Sequence, residues 1–226
     1  MLLNFDDAIR VGEPSDLIEI QRSTRGAPTV ASSKSPRGLS MKSLYVTQNR
    51  RGPWSLLGRR KQIYFLSVAF DLSDRGPVVF PPAQVPADAI YRVHPGQAIQ
   101  FTLGDGAPIF PPRTISGGLV MYITVCDADK GTRHVGEVLA QVHQDLNKDG
   151  SLTKVITGFI KSPSKVVIDE VLTAATAALQ PIATILKAQR DEYIGLFTGI
   201  FPSKGPWQGK LTGSSNGTTI ELAELR

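Results

Sequence analysis

The chain of 226 residues is 41% hydrophobic and 20% charged, which is enough apolar material to build a core. Its single cysteine, Cys126, excludes an internal disulfide and any cysteine-based zinc cluster. Two aspartates occur within the first ten residues, and no stretch of about 18 apolar residues follows. We therefore expect neither a signal peptide nor a transmembrane helix, and a location in the cytoplasm or in an assembled particle.

Positive charge is concentrated in one part of the chain, Gln21–Phe70, which we call the basic segment. It contains ten basic residues and no acidic one, and since the whole chain carries +5, the remainder sums to −5. Charge separated in this way usually has a partner, on the same molecule or on another one. The basic segment is therefore expected to lie against the acidic remainder of its own fold, against a neighbouring subunit, or against another acidic partner.

Residues 1–40 are predicted to form an extended N-terminal arm. Short apolar pieces are mixed there with a run of Ser, Pro, Gly and Lys, and such a composition cannot bury enough surface to fold alone. Residues 41–226 are predicted to form one β-sandwich domain, with a helical insertion at about 133–190.

The pattern beyond the arm is typical of β-strands. Residues 43–48 alternate between apolar and polar, and residues 63–70 form a fuller apolar run. Closely spaced prolines between residues 77 and 112 favour edge strands and loops of a sandwich. Asn216-Gly217, between two apolar runs, predicts a hairpin turn. Further strands are predicted at 89–93, 98–103, 117–126, 193–201, 207–211 and 218–225.

Two amphipathic helices are predicted within the insertion. From Val135 to Leu146, apolar residues recur at the spacing of one helical face. Ser162-Pro163 is typical of a helix start, and a second apolar stripe continues from Ile168 to about residue 190, interrupted by Pro181. Because both helices are amphipathic, each needs a surface to cover.

The sequence contains no motif of a known catalytic centre, such as HExxH, GxSxG, a phosphate loop or a dinucleotide-binding glycine pattern. We therefore expect that the protein is not an enzyme. A hydrolase with dispersed catalytic groups near His134 and His143 is the alternative. Residues 145–152 match the first half of an EF-hand calcium loop, but Ile156 stands where that loop needs a carboxylate.

A further charged motif, the basic loop Asn49–Lys61, combines two basic clusters with a tryptophan and two leucines. This combination suits an anionic membrane surface or the acidic rim of a neighbouring subunit. It suits a nucleic-acid backbone less well, because only one aromatic residue is present for stacking. The residues expected to bind a partner or a phosphate group are Arg50, Arg51, Trp54, Arg59, Arg60 and Lys61.

Three short motifs occur in the second half of the chain. Residues 119–129 form an apolar strand that ends in Asp127-Ala128-Asp129, residues 191–195 read Asp-Glu-Tyr-Ile-Gly, and residues 207–222 contain spaced Trp, Leu, Gly, Ile and Leu. Together they resemble the C2 domain family, a β-sandwich often used for calcium-dependent binding to phospholipid. The resemblance implies an antiparallel sandwich with both helices inserted in one loop, and a candidate calcium site at Asp127, Asp129 and Asp191.

The basic loop departs from the pattern of that family. Family calcium sites take carboxylates from two loops, whereas the corresponding loop here, Asn49–Lys61, is rich in arginine and has no acid. Its arginines could pair with Asp127, Asp129 and Asp191, which would remove the need for an ion. The resemblance therefore supports the sandwich fold more than it supports calcium binding.

Taken together, these patterns predict a mainly β, non-enzymatic binding or assembly protein. Its basic arm and loop are expected to contact an acidic surface of a protein partner, as a structural subunit of a homo- or hetero-oligomeric complex. The alternative is a peripheral membrane-binding C2-like module that contacts anionic lipid, with calcium as its candidate cofactor. No other cofactor is expected.

Overall fold

The computed structural model describes thirteen strands and the residues next to them. The described residues are 9–11, 20–21, 29–30, 32–47, 61–73, 75–82, 90–94, 96–101, 104–127, 137, 140–142, 144, 180, 184, 192–207 and 211–226.

The strands are numbered in chain order. The first six are β1 (Ile9–Val11), β2 (Ile20–Gln21), β3 (Thr29–Val30), β4 (Arg37–Val46), β5 (Lys61–Asp71) and β6 (Val78–Phe80). The other seven are β7 (Tyr91–Val93), β8 (Ala98–Gln100), β9 (Ala107–Arg113), β10 (Gly118–Asp127), β11 (Glu192–Pro202), β12 (Thr212–Ser215) and β13 (Thr218–Leu225).

Most of these strands belong to two sheets. The first sheet has the order β1-β11-β10-β5-β6, and β7 also pairs with β5. The second sheet has the order β12-β13-β4-β8, and β9 also pairs with β4. Neighbouring strands are antiparallel except for β1, which runs parallel to β11, while β2 and β3 form a separate antiparallel pair.

The two sheets enclose one apolar core. Phe65, Phe197 and Phe201 of the first sheet are at most 1% exposed, as are Leu44 and Phe110 of the second. Burial of a side chain of this size contributes about 1.5–3 kcal/mol. The predicted mainly β fold is confirmed, and two antiparallel sheets packed around a shared core form a β-sandwich.

The outer face of the first sheet is buried as well. Tyr64 and Phe70 of β5 and Cys126 of β10 are fully buried, and Leu66 and Tyr122 are 3% exposed, although all five alternate with residues of the core. A strand buried on both faces has apolar side chains at successive positions. This explains why residues 63–70 and 117–126 are continuous apolar runs in the sequence.

Local sequence patterns placed several strands correctly. The strands predicted at 63–70, 117–126, 193–201 and 218–225 are confirmed as β5, β10, β11 and β13. The Asn216-Gly217 hairpin is also confirmed, because Ser215 pairs with Thr218 across a two-residue turn. Asn216 and Gly217 have φ values of 47° and 83°, as the type I′ turn preferred in tight hairpins requires.

The predicted helical insertion lies between two neighbouring strands. Asp127 at the end of β10 pairs with Glu192 at the start of β11, so residues 128–191 connect adjacent strand ends. Val142, in the first predicted apolar stripe, is fully buried. The bounds of both helices lie outside the described residues, so the two-helix insertion stays a prediction. The described helical residues are 137, 140–142, 144, 180 and 184.

The predicted arm contributes backbone to both sheets. Ile9–Val11 pairs with β11 in the first sheet, and β4 runs across residue 40, so residues 37–40 belong to the second sheet. Ser33 is also tied to the sandwich, because its N–H donates to the Ile115 carbonyl at 2.8 Å. The arrangement of the other residues before position 32 stays a prediction, since most of them lie outside the described part of the chain.

An aromatic cluster lies at one side of the core. The ring of Phe65 is stacked on Phe80 at 5.1 Å and on Tyr91 at 6.3 Å between centroids. Phe101 meets Tyr91 edge-on at 5.3 Å. Burial raises the pKa of the Tyr91 hydroxyl above its ordinary value of 10.0, because the phenolate loses hydration there.

Removal of the Tyr91 hydroxyl is expected to change how stability depends on alkaline pH. Above pH 10.0 the unfolded chain releases the Tyr91 proton before the folded protein does, so the free energy of unfolding falls as pH rises. The Tyr91→Phe variant has no hydroxyl proton to release, so its free energy of unfolding should fall less steeply between about pH 9 and pH 11. Urea unfolding across this range measures the slope, and identical slopes in both proteins would contradict the prediction.

Candidate functional site

Of the six residues predicted to bind a partner or a phosphate group, the structure describes only Lys61. It is the first residue of β5, where its backbone pairs with Val93. The role predicted for the other five stays a prediction, because Arg50, Arg51, Trp54, Arg59 and Arg60 lie outside the described residues.

Of the three predicted calcium ligands, the structure describes Asp127. It ends β10 and lies opposite Ile63 of β5 and Glu192 of β11. Asp129 and Asp191 lie outside the described residues. In the part of the chain that the structure describes, no group of three or more His, Cys, Asp or Glu side chains is arranged to hold a metal ion. Calcium binding therefore stays a prediction.

Lys61 and Asp127 lie at the same end of the first sheet, which we call the loop end. Asp127, the last residue of β10, pairs with Ile63 of β5. Ile63 is two residues after Lys61, the first residue of β5. The basic loop leads into β5 at this end, and residues 128–191 leave β10 and enter β11 here. The strand register thus places the first residue of β5 close to the last residue of β10.

A second group of charged residues lies at the opposite end of the sandwich, where β4 begins and β11 and β13 end. They line a cleft of about 570 Å³, which is within the usual size range of small-ligand sites. Four cationic side chains and one carboxylate are among its described lining residues. We call this cleft the basic pocket, and it is defined by Lys34, Arg37, Ser203, Lys204, Glu224 and Arg226.

Arg37 forms the buried wall of the basic pocket and is 5% exposed. Its Nε donates to Glu224 Oε1 at 2.8 Å, and its Nη1 donates to the Pro202 carbonyl at 3.0 Å. The guanidinium carbon lies 4.2 Å from the centre of the Trp207 ring, a cation–π contact. Because Arg37 begins β4 while Pro202 ends β11, the guanidinium ties the second sheet to the first.

Trp207 supports this arrangement from outside the sheets. Its indole Nε1 donates to the Pro202 carbonyl at 2.8 Å, and its ring lies 4.8 Å from that of Phe201. The strand predicted at 207–211 is wrong at both described ends, since neither Trp207 nor Leu211 belongs to a strand. The Trp207 indole donates to Pro202 at the end of β11, and its ring packs on Arg37. Trp207 itself does not belong to a strand.

Two buried donors of the basic pocket have no hydrogen-bond partner among the described residues. They are Nη2 of Arg37 and Oγ of Ser203, whose residue is 2% exposed. A buried donor left unpaired costs about 1–3 kcal/mol. The rim is more open, because Lys34 is exposed and the Arg226 side chain is 75% exposed, with its Nη2 3.5 Å from Glu224 Oε2. The residues that line the pocket therefore include exposed cations at the rim and buried polar groups with no hydrogen-bond partner among the described residues.

No family model, curated protein or solved structure matches this chain. The function is therefore inferred from its own residues. Within the described part of the chain, no helix combines the length and the hydropathy that crossing a membrane requires.

The basic pocket is a feature that the sequence did not reveal. Arg37 belongs to the basic segment, but its partner Glu224 is 187 positions away, and no local pattern connects them. The basic segment was expected to lie against acidic residues of its own fold, and Arg37 does so through its ion pair with Glu224. Lys42 of the same segment also bonds within the fold, since its Nζ donates to the Asp105 carbonyl at 2.7 Å.

Proposed function

We propose that this protein is a non-enzymatic binding and assembly subunit that contacts an acidic surface of a protein partner. The observation that supports this function best is the basic pocket, a concave site lined by four cationic residues and one acidic residue. Complementary charge steers association and selects the partner. Because Lys34 and Arg226 are exposed and line the same cleft, they offer a defined positive patch to such a partner.

The cations of the basic segment divide into two roles. Arg37 is paired with Glu224, and Lys42 donates to a backbone carbonyl, so both contribute to the fold. Lys34 is exposed and lines the same pocket as the largely exposed Arg226. An exposed cation keeps its hydration and is available to a partner, so the rim supplies the charge for recognition.

The position of the predicted arm fits this proposal. Ser32 pairs with Ser116 in an isolated bridge, and Ser33 is bonded to Ile115. Lys34 of the rim follows immediately in the sequence. This part of the arm therefore contacts the sandwich beside the basic pocket, and a partner bound at the pocket would be close to the end of the arm.

Removal of rim charge should weaken binding to an acidic polypeptide. We expect the double variant Lys34→Gln, Arg226→Gln to bind a fluorescent polyglutamate peptide about tenfold more weakly than the wild type at low salt, because each exposed ion pair contributes about 0.5–1 kcal/mol. Fluorescence anisotropy of the labelled peptide measures the affinity.

The matched control removes two exposed positive charges that do not line the pocket. Arg75→Gln, Arg92→Gln makes the same change in net charge, and both arginines are exposed. It should retain affinity within about twofold. An equal loss in both variants would show that the polymer responds to net charge alone, and would contradict a binding role for the pocket.

A second candidate function is a peripheral membrane module with a C2-like sandwich. It is supported by the loop end, where the strand register brings the end of the basic loop at Lys61 close to Asp127. Under this proposal, vesicles of phosphatidylserine and phosphatidylcholine should sediment the protein, and Asp127→Asn should remove any part of the binding that depends on calcium. Absence of sedimentation at low salt, with and without calcium, would exclude this candidate.

A further inference from the structure

We infer that the basic pocket binds residues 12–19 of a second copy of this chain, which we call the acidic segment. This segment contains Glu13, Asp16 and Glu19 and no basic residue. The assignment rests on the proposed function and names its acidic partner surface. The two copies are related by a two-fold axis, so that each copy supplies the pocket for the segment of the other.

The charges of the acidic segment and of the basic pocket are complementary. Residues 12–19 carry three carboxylates, and the nearest basic residues that follow, Arg22 and Arg25, come only after β2. The pocket is lined by four cationic residues and one acidic residue, Glu224, which is already paired with Arg37. Opposite charge across an interface steers two partners together and disfavours others, so a segment of this chain has the chemistry that the pocket selects.

The acidic segment starts at the end of the sandwich that carries the basic pocket. β1 runs parallel to β11, and its last residue, Val11, lies opposite Gly199. β11 ends three residues later at Pro202, and the next two residues, Ser203 and Lys204, line the pocket. Measured along the strands, the end of β1 is about 10 Å from the end of β11. The strand that precedes the acidic segment therefore runs toward the pocket.

The rim of the pocket is open in the single chain. Lys34 is exposed, and the side chain of Arg226 is 75% exposed. Ser33 lines the pocket and is bonded to Ile115, so the chain that follows the acidic segment returns to the sandwich at the same end. Since the segment starts at the end that carries the pocket, two copies that meet at this end can bring both pairs of opposite charges together.

Sedimentation equilibrium of the full chain tests this assembly. We expect a monomer–dimer equilibrium whose dissociation constant rises with salt, because the contact joins exposed charges. The segment variant Glu13→Gln, Asp16→Asn, Glu19→Gln should raise this constant about a hundredfold, since a two-fold dimer loses two contacts of about tenfold each. The rim variant Lys34→Gln, Arg226→Gln should do the same for the same reason.

The matched control is Asp105→Asn, Glu137→Gln, Glu221→Gln, which changes the net charge as the segment variant does. All three residues are exposed, and none of them lines the pocket. The dissociation constant of this control should stay within about twofold of that of the wild type.

An equal mixture of the segment variant and the rim variant tests whether the contact is reciprocal. The segment variant keeps its pocket, and the rim variant keeps its acidic segment, so one of the two contacts can form between them. The mixed dimer should therefore be about tenfold tighter than the dimer of either variant alone. Recovery in the mixture, together with the loss in each variant, supports the two-fold dimer.

Three results would overturn the second copy as the partner. They are a full chain that is monomeric at every concentration, a dimer that the segment variant and its control weaken equally, and a monomeric chain whose segment variant binds polyglutamate more tightly than the wild type does. The last result would place the acidic segment on the pocket of its own copy.

The polyglutamate experiment separates this dimer from the proposed function. If the rim variant loses polyglutamate while the chain is monomeric, the proposed function stands and the dimer fails. If the dimer depends on both the segment and the rim while polyglutamate binds the rim variant and its control equally, the dimer stands and the wider role of the pocket for acidic partners fails.

Discussion

Asp71→Ala is expected to lower the free energy of unfolding by about 3–5 kcal/mol, the cost of breaking a buried ion pair. Asp71 is fully buried at the end of β5. Its Oδ1 accepts from Ser73 Oγ at 2.7 Å and from Arg113 Nη2 at 2.9 Å, and its Oδ2 accepts from the Ser116 N–H at 2.9 Å. Without the carboxylate, the guanidinium of Arg113, whose side chain is 16% exposed, loses its ion-pair partner. Urea unfolding followed by circular dichroism measures the change.

The control for this prediction is Asp105→Ala. Asp105 is an exposed turn residue, and the bond that it makes to Lys42 uses its backbone carbonyl, which alanine retains. The control should stay within about 0.5 kcal/mol of the wild type. A loss below about 1 kcal/mol in Asp71→Ala would show that water or a rearranged Arg113 replaces the carboxylate.

Gly38→Ala is expected to cost about 3 kcal/mol, at the upper end of the range for overpacked sites. A Cβ at this position would lie 2.6 Å from the Phe110 carbonyl oxygen and 2.7 Å from the Pro112 nitrogen. Both are backbone atoms of β9, so the strand itself must move. Because Gly38 follows Arg37 directly, we also expect this movement to disturb the basic pocket and to weaken polyglutamate binding.

The control here is Gly76→Ala, at a glycine where an added Cβ has nothing within 4 Å. It should be neutral within about 0.5 kcal/mol. Comparison of the two urea unfolding curves isolates the effect of close approach between β4 and β9. Wild-type stability of Gly38→Ala would mean that β9 shifts without cost, which would contradict the close packing seen here.

These two positions explain how the fold supports the candidate site. Gly38 lets β9 pack closely against the start of β4, and Asp71 ties the end of β5 to Arg113 of β9 and to Ser116. Arg37 is bonded across the same end of the sandwich, to Pro202 and Glu224. The basic pocket is therefore built on an end of the molecule where several side-chain contacts connect distant strands.

The strand content was predictable because it depends on short-range patterns. Residues 63–70 are apolar, aromatic or β-branched almost throughout, and this composition favours a buried strand. Asn216-Gly217 determines its hairpin through backbone conformations that these two residue types adopt readily. Prolines did mark an edge strand, since β9 contains three of them and pairs with β4 on one side.

The failures have a common cause. Trp207 was assigned to a strand from its neighbours in sequence, but its ring packs on Phe201 and Arg37, contacts that no local pattern reports. Residues 37–40 were assigned to the arm because Ser, Pro and Gly surround them, although pairing with β13 and β9 makes them part of the second sheet. In both places tertiary contacts outweighed local composition.

The sequence by itself determined that the chain is mainly β, that its longest strands are buried, and that its excess of positive over negative charge lies in Gln21–Phe70. Each of these depends on residue types and spacings within a few positions. Only the tertiary structure decided which of the charged side chains pair within the fold and which lie exposed at its surface. Arg37 meets Glu224 from 187 positions away because β4 pairs with β13, and Ser203 and Lys204 reach the same pocket because β11 ends there. Such a site is set by strand order and register, which arise from packing of the whole core and not from any one segment.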